Sequence, residues 1–264
     1  MDFPFLRFAL QHSDWVLRVL MEVFVLSICY SVYLVFQKLI PEYRFGKDYE
    51  FAGYIYNAMG IIYGLVFAFV TVLVWQNYNG VSEAVSKEAS TMNNMYHLFS
   101  AFPTEIERPG KEGLRSYTST VINKEWPLLS KNQFSIEAYQ EILKITRLVN
   151  NFQPQNTGQS NTHQHMLTLL GDVEGLRRTR IYSAHFALSY PAVLGLFIST
   201  IVFLCFSCLF EMKSARTHII LIFFLGSTIA GVVYFLVLFI HPFLGPMAIP
   251  PDAFVNLLKI AWAY

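Results

Sequence analysis

The chain has 264 residues, of which 54% are hydrophobic, 16% aromatic and only 14% charged, with a net charge of +1 and a mean hydropathy of +0.41. Soluble domains carry about 25% charged residues, so the deficit argues against an ordinary cytosolic enzyme, and a disordered chain would be richer in charge and poorer in aromatics. The even charge balance is a poor match for a nucleic-acid binder, and three cysteines make no disulfide framework.

The missing charges are missing from particular places. Phe51 to Ser82, Ile181 to Phe210 and Thr217 to Pro251 contain no Asp, Glu, Lys or Arg, and Trp15 to Gln37 is apolar except for Arg18 and Glu22. A bilayer core of about 30 Å needs roughly 20 apolar residues in a helix, and too little chain remains to cover four such runs in water. The hydropathy pattern therefore predicts spans near 15–37, 53–75, 187–209 and 218–240. Residues 1–14 hold one Arg, and the first apolar run is too long for a signal core and has no small-residue cleavage site after it, so span one is expected to stay as an anchor.

Four spans put both termini and the long segment between spans two and three on one side. Arg7, Arg18, Lys87, Arg177, Arg178, Arg180 and Lys259 fall there, against Lys38, Arg44, Lys47, Lys213 and Arg216 on the other. That excess leans toward a cytoplasmic segment in a plasma or inner membrane. The expected organisation is a transmembrane pair over 1–75, a helical cytoplasmic segment over 76–186, a second pair over 187–245 and a short C-terminal helix over 246–264.

Within 76–186, Val81, Ala84, Val85, Met92, Met95, Tyr96 and Phe99 recur at three- and four-residue spacings, so span two continues as an amphipathic helix that Pro103 stops. Thr104 with Glu107 has capping-box spacing, with Pro109 and Gly110 limiting any helix begun there. Leu114, Tyr117, Val121 and Ile122 predict a helix ending at Glu125-Trp126-Pro127, because Pro127 disfavours helix at the residue before it. Ser135 suits the N-cap of a helix carrying Ile136, Tyr139, Ile142, Leu143 and Ile145. Residues 150–164 read as a flexible loop, and a further helix from about Met166 through Leu169, Leu170, Val173, Leu176 and Ile181 leads into span three. Asp252 to Ala263 reads as a short helix packing Phe254, Leu257, Leu258 and Trp262 on the bundle or the membrane surface.

Catalytic constellations are thin. Seven histidines are present, at 12, 97, 163, 165, 185, 218 and 241. The closest pair, His163 and His165, does not share a helix face and lacks further ligands for a metal. Cys205 and Cys208 form a CxxC inside span three, where packing suits them better than redox chemistry. No nucleophile elbow, phosphate loop or HExxH occurs. No enzyme activity and no cofactor or metal are expected. Arg18 and Glu22 stand one turn apart and suit a structural ion pair or an interfacial anchor.

Span two is the most informative element. Gly60 and Gly64 form a GxxxG that permits close helix packing. Asn57, Ile61, Leu65, Ala68 and Val72 share one stripe. In a ring of copies that stripe would give a polar mouth above a narrow apolar throat, which can gate ions by dewetting. On periodicity alone a surface against lipid or a neighbouring helix is the better reading.

The run from Gly64 to Trp75-Gln76-Asn77-Tyr78, followed by Val81, Ala84, Val85, Glu88 and Ala89, resembles an uncharacterised membrane family with a bestrophin-like domain. Tyr117, Val121 and Glu125-Trp126-Pro127 resemble its central helix, Arg177, Arg178 and Arg180 ahead of Pro191 its third span, and Pro242-Phe243 with Gly245 and Pro251 its tail. His241 stands where the family pattern has Asp. The likeness implies an all-α, four-span membrane fold with a helical cytoplasmic bundle between spans two and three.

Through the more distant bestrophins, it also implies a homo-oligomeric, pentameric channel in the lipid bilayer for chloride or another small ion. Its second helix would line the pore, with neck positions on Asn57, Ile61 and Leu65 and an interfacial anchor at Trp75. The carboxylate run that binds calcium in animal bestrophins has no counterpart, so calcium gating is not expected. The alternative is a non-conducting membrane scaffold or sensor whose helical bundle binds a partner. A transporter is disfavoured, since broken helices and inverted repeats are not evident.

Overall fold

The computed structural model describes residues 14–39, 49–184, 190–210 and 214–262. Arg7, His12, Arg44, Lys47, His185, Lys213 and Ala263, named above, lie outside them. All regular structure among the described residues is helical: α1 Asp14–Leu39, α2 Tyr49–Leu98, α3 Thr104–Thr120, α4 Trp126–Leu129, α5 Ile136–Asn150, α6 Thr157–Ala184, α7 Tyr190–Cys208, α8 Ala215–Ile240 and α9 Asp252–Asn256. Among the described residues, four segments are long and apolar enough to cross a membrane: Trp15–Leu39, Glu50–Ala101, Pro191–Cys208 and Ala215–Ile240. The fold is that of an all-α membrane protein.

The chain divides into two compact units, Met1–Gln76 with Ala187–Ile240, and Asn77–Phe186 with His241–Tyr264. Helix α2, 50 residues long, contributes to both. In the first unit, Val25, Cys29 and Tyr33 of α1 pack with Leu204 and Cys208 of α7 and Ile222, Ile229 and Ala230 of α8. Cys29 and Cys208 are buried free thiols in this packing. Arg18 is exposed and Glu22 half-buried, and no ion pair joins them among the described residues, so of the two readings given for them the ion pair does not form.

The second unit is built on the apolar stripe of α2. Val81, Val85, Ala89, Met92, Met95 and Phe99 join Leu114, Tyr117 and Val121 of the central helix, with Ile142, Ile145 and Val149 of α5 and Met166, Leu170 and Val173 of α6. Phe254, Leu257 and Trp262 of the tail enter this same core. Ser135 caps α5, its hydroxyl accepting from the Ala138 N–H at 3.2 Å.

Three boundaries differ from expectation. Helix α3 runs through Pro109, and Gly110 beyond it lies against the buried Phe99: a Cβ there would come within 2.3 Å of the ring. Gly110→Ala should therefore cost about 1–3 kcal/mol, the range for overpacking a filled core, measurable as a lower melting temperature. The central helix does not stop at Pro127. Val121–Glu125 forms a π turn, which widens the helix just ahead of the proline ring and lets α4 continue to Leu129. Finally, the loop expected over 150–164 is short, because α6 begins at Thr157. The Asn156 side chain accepts from the Gln159 N–H at 2.9 Å and starts it.

Candidate functional site

Two places gather the residues singled out by the sequence. The first is α2 within the membrane unit. Tyr56 and Tyr63 stack on Phe203 of α7 with ring centroids 4.8 and 5.1 Å apart, and the Tyr63 and Thr200 hydroxyls are 2.9 Å apart. Gly60 lies beneath that ring, where a Cβ would stand 3.5 Å from it, whereas Gly64 has nothing within 4 Å. Among the described residues, the first glycine of the GxxxG therefore meets another helix of the protomer and the second does not. At 100° per residue, Asn57, Ile61, Leu65, Ala68 and Val72 fall on the side turned away from α7. Ile61 is 66% exposed and Leu65 55%, and Asn57, Ala68 and Trp75 are exposed as well. No described residue of the same copy covers this stripe.

The second place is a buried ionic cluster in the helical unit. Glu88 of α2, Glu125 of the π turn and Arg180 of α6 are completely buried, and Arg177 is 8% exposed. Arg180 donates to Glu88 through Nε at 2.8 Å and Nη2 at 3.1 Å, the two-pronged geometry that makes arginine–carboxylate pairs strong. The Tyr117 hydroxyl donates to the same carboxylate at 2.9 Å. Arg177 Nη2 donates to Glu125 Oε2 at 2.5 Å, and the Ser135 N–H reaches that oxygen at 3.2 Å. Glu125 Oε1 lies 2.9 Å from Arg180 Nη2. The two are close enough to attract but are not aligned as a hydrogen bond, since that oxygen has no hydrogen-bond partner.

Two carboxylates and two guanidiniums make the cluster neutral overall, which is how charge survives away from water. Burial works against the Arg180 charge, and the Glu88 carboxylate more than reverses that, so the guanidinium is held above its ordinary value. Burial, reinforced by Glu88, pushes the Tyr117 phenol well up and keeps it a donor.

The tail closes the cluster. Arg180 lies 5.4 Å from the Trp126 ring centroid and 5.6 Å from that of Phe254, and Trp126 meets Phe243 and Phe254 edge-on. The Trp126 indole N–H donates to the Ile249 carbonyl at 3.1 Å. Gly245 turns the chain with φ 96°, a conformation that favours glycine, beside the buried Pro242 and Phe243. Pro127 is exposed, and His241 is half-buried just after α8.

Glu125, Trp126, Arg177, Arg180 and Phe243 thus meet at one point, and Glu88, absent from the expected site residues, is at its centre. Arg177, Arg178 and Arg180, grouped together by the sequence, differ in setting. Arg177 and Arg180 are buried in ion pairs, and only Arg178 presents its charge to water. His163 is a polar packing residue, its Nε2 lying 2.9 Å from the Val149 carbonyl.

Among known proteins, two point-mutant crystal structures of a bacterial bestrophin homologue from Klebsiella pneumoniae share this fold. One has TM-score 0.63 at 12% identity and the other TM-score 0.60 at 13%, each covering 95% of this chain and 98% of its own. No curated protein matches the chain significantly. The family model for the bestrophin-like domain matches residues 23–254, nearly the whole of both units, and the chain belongs to the bestrophin-like family.

Proposed function

We propose that the protein assembles as a pentameric ring and conducts small anions such as chloride through a pore lined by α2. Ile61 and Leu65 form the constriction, Asn57 the polar entrance, Ala68 the wall beyond it and Trp75 the anchor at the membrane interface. The observation that carries this reading is the stripe itself. Its large apolar side chains are left uncovered on the side of α2 turned away from α7, where a ring of copies would bring them together around an axis. Membership of the bestrophin-like family supports it. Two apolar rings below an amide ring would hold a narrow throat that resists wetting. In this reading the membrane is the plasma or inner membrane, and residues 76–186 and both termini are cytoplasmic.

Purified protein in liposomes should leak chloride, and Ile61→Ala with Leu65→Ala should raise the leak several-fold. Flux from neither form would sink the proposal. Single cysteines placed at 61 or 65, in a background lacking Cys29, Cys205 and Cys208, should react with water-soluble thiol reagents in the assembled protein. Failure to react, together with absent flux, would favour the non-conducting scaffold.

A further inference from the structure

A cavity of about 900 Å³ opens on the helical unit between the turn after α4, the start of α5 and the last turns of α6. Its walls include Phe134, Ile136, Tyr139 and Tyr182, which are 54%, 65%, 48% and 71% exposed. Among the described residues of this unit, only Leu167 and Met247 are other large apolar side chains left so open. Single exposed apolar residues are ordinary, but their concentration around one concavity marks a binding place.

The polar groups of the lining are equally specific. Arg177 is 8% exposed, and its Nη2 is committed to Glu125 and to the Ser135 carbonyl, yet its Nε has no hydrogen-bond partner. Arg178, next to it, is exposed and forms no ion pair among the described residues. Glu174, also in the lining, accepts from the Thr146 hydroxyl at 3.3 Å and bonds neither arginine. The Arg177 Nε has no surface open to the cavity, so the accessible cation of the lining is Arg178. The Tyr139 ring, 5.8 Å from the Arg177 guanidinium carbon, joins the charged part of the cavity to its aromatic walls.

We propose that this cavity binds a small amphipathic anion, an aryl-alkyl carboxylate, with the carboxylate at Arg178 and the ring among Phe134, Tyr139 and Tyr182. The volume lies within the range of small-molecule sites, and planar arginine forks match carboxylates.

The test is titration of full-length protein in nanodiscs with 4-phenylbutyrate, followed by saturation-transfer NMR with protein-free nanodiscs as the blank. Saturable binding is expected, with the neutral amide, 4-phenylbutyramide, about tenfold weaker or more, the usual effect of losing one charge-assisted hydrogen bond. Arg178→Gln should weaken the acid and leave the amide unchanged, and Tyr139→Ala should weaken both. Arg178 is exposed, so its replacement leaves the fold intact where Arg177→Gln would not. Absence of saturable binding, or equal binding of acid and amide, overturns the proposal. So does dissociation of the oligomer by Ile136→Glu in mass photometry, which would show a second copy of the chain filling the cavity. None of these residues lies on the α2 stripe, so each outcome leaves the liposome flux test of the pore independent.

Discussion

Replacing Glu88 with Ala should destabilise the helical unit by about 3–5 kcal/mol, the usual result of removing one partner from a buried ion pair. The substitution deletes the acceptor of three hydrogen bonds, two from Arg180 and one from Tyr117. Arg180 would keep a full positive charge with no water contact and only the misaligned Glu125 oxygen nearby. Since domains are stable by only about 5–15 kcal/mol, much of the folded population is at stake. Glu83→Ala is the control. Glu83 is exposed and pairs with Lys87 one turn away, where water and salt screen the attraction, so its loss should leave the melting temperature essentially unmoved. Replacing both Glu88 and Arg180 with Met should recover part of the loss, because Glu125 and Arg177 remain a neutral pair. The measurement is thermal melting followed by circular dichroism in detergent. If Glu88→Ala melts with Glu83→Ala, the cluster has no such role.

Much of this architecture was legible because membrane spans leave a compositional trace. Long apolar runs with little or no charge cannot be paid for in water, and they fall on α1, the first half of α2, α7 and α8. The amphipathic continuation of α2 was equally plain, as Val81, Val85, Met92 and Phe99 repeat at helical spacing and are all buried. The start of α6 was not, because Thr157 to His165 carries no apolar stripe. Its helix is set by the Asn156 cap and by continuity with the packed turns that follow. The passage through Pro127 was hidden for another reason: a π turn has no sequence signature of its own.

The ionic cluster left a trace that went unread. Glu88 lies on the same stripe as Val85 and Met92, Glu125 on that of Tyr117 and Val121, and Arg177 and Arg180 on that of Val173 and Ala184. An ionisable residue on a buried stripe needs a partner on another buried stripe. Which stripe it meets is a tertiary fact, as Glu88 and Arg180 are 92 residues apart. The pore residues pose the reverse problem. Their stripe is clear in the sequence, but what it faces depends on other copies of the chain.

Phe254→Ala should be the second severe change, costing about 3–5 kcal/mol as a buried aromatic truncated to a methyl group. Phe254 is fully buried, meets Trp126 edge-on at 5.5 Å and lies 5.6 Å from the Arg180 guanidinium carbon. Its loss removes one of the two rings beside a buried cation. It also loosens a tail otherwise held by Ile249, Leu257 and Trp262, the last donating its indole N–H to the Asn93 side chain at 3.2 Å. Hydrogen exchange read by mass spectrometry separates local release from global unfolding. Peptides covering 243–262 should exchange faster than in the parent protein, and those from α1 and α8 should keep their rates. A double-mutant cycle with Trp126→Leu should show a coupling of about 0.5–3 kcal/mol, the range for residues in contact. Additive losses would mean that the tail and the central helix are held independently. Coupled ones would mean that the cluster, Trp126 and the tail form one cooperative element, so that whatever moves the tail also changes the environment of Arg180.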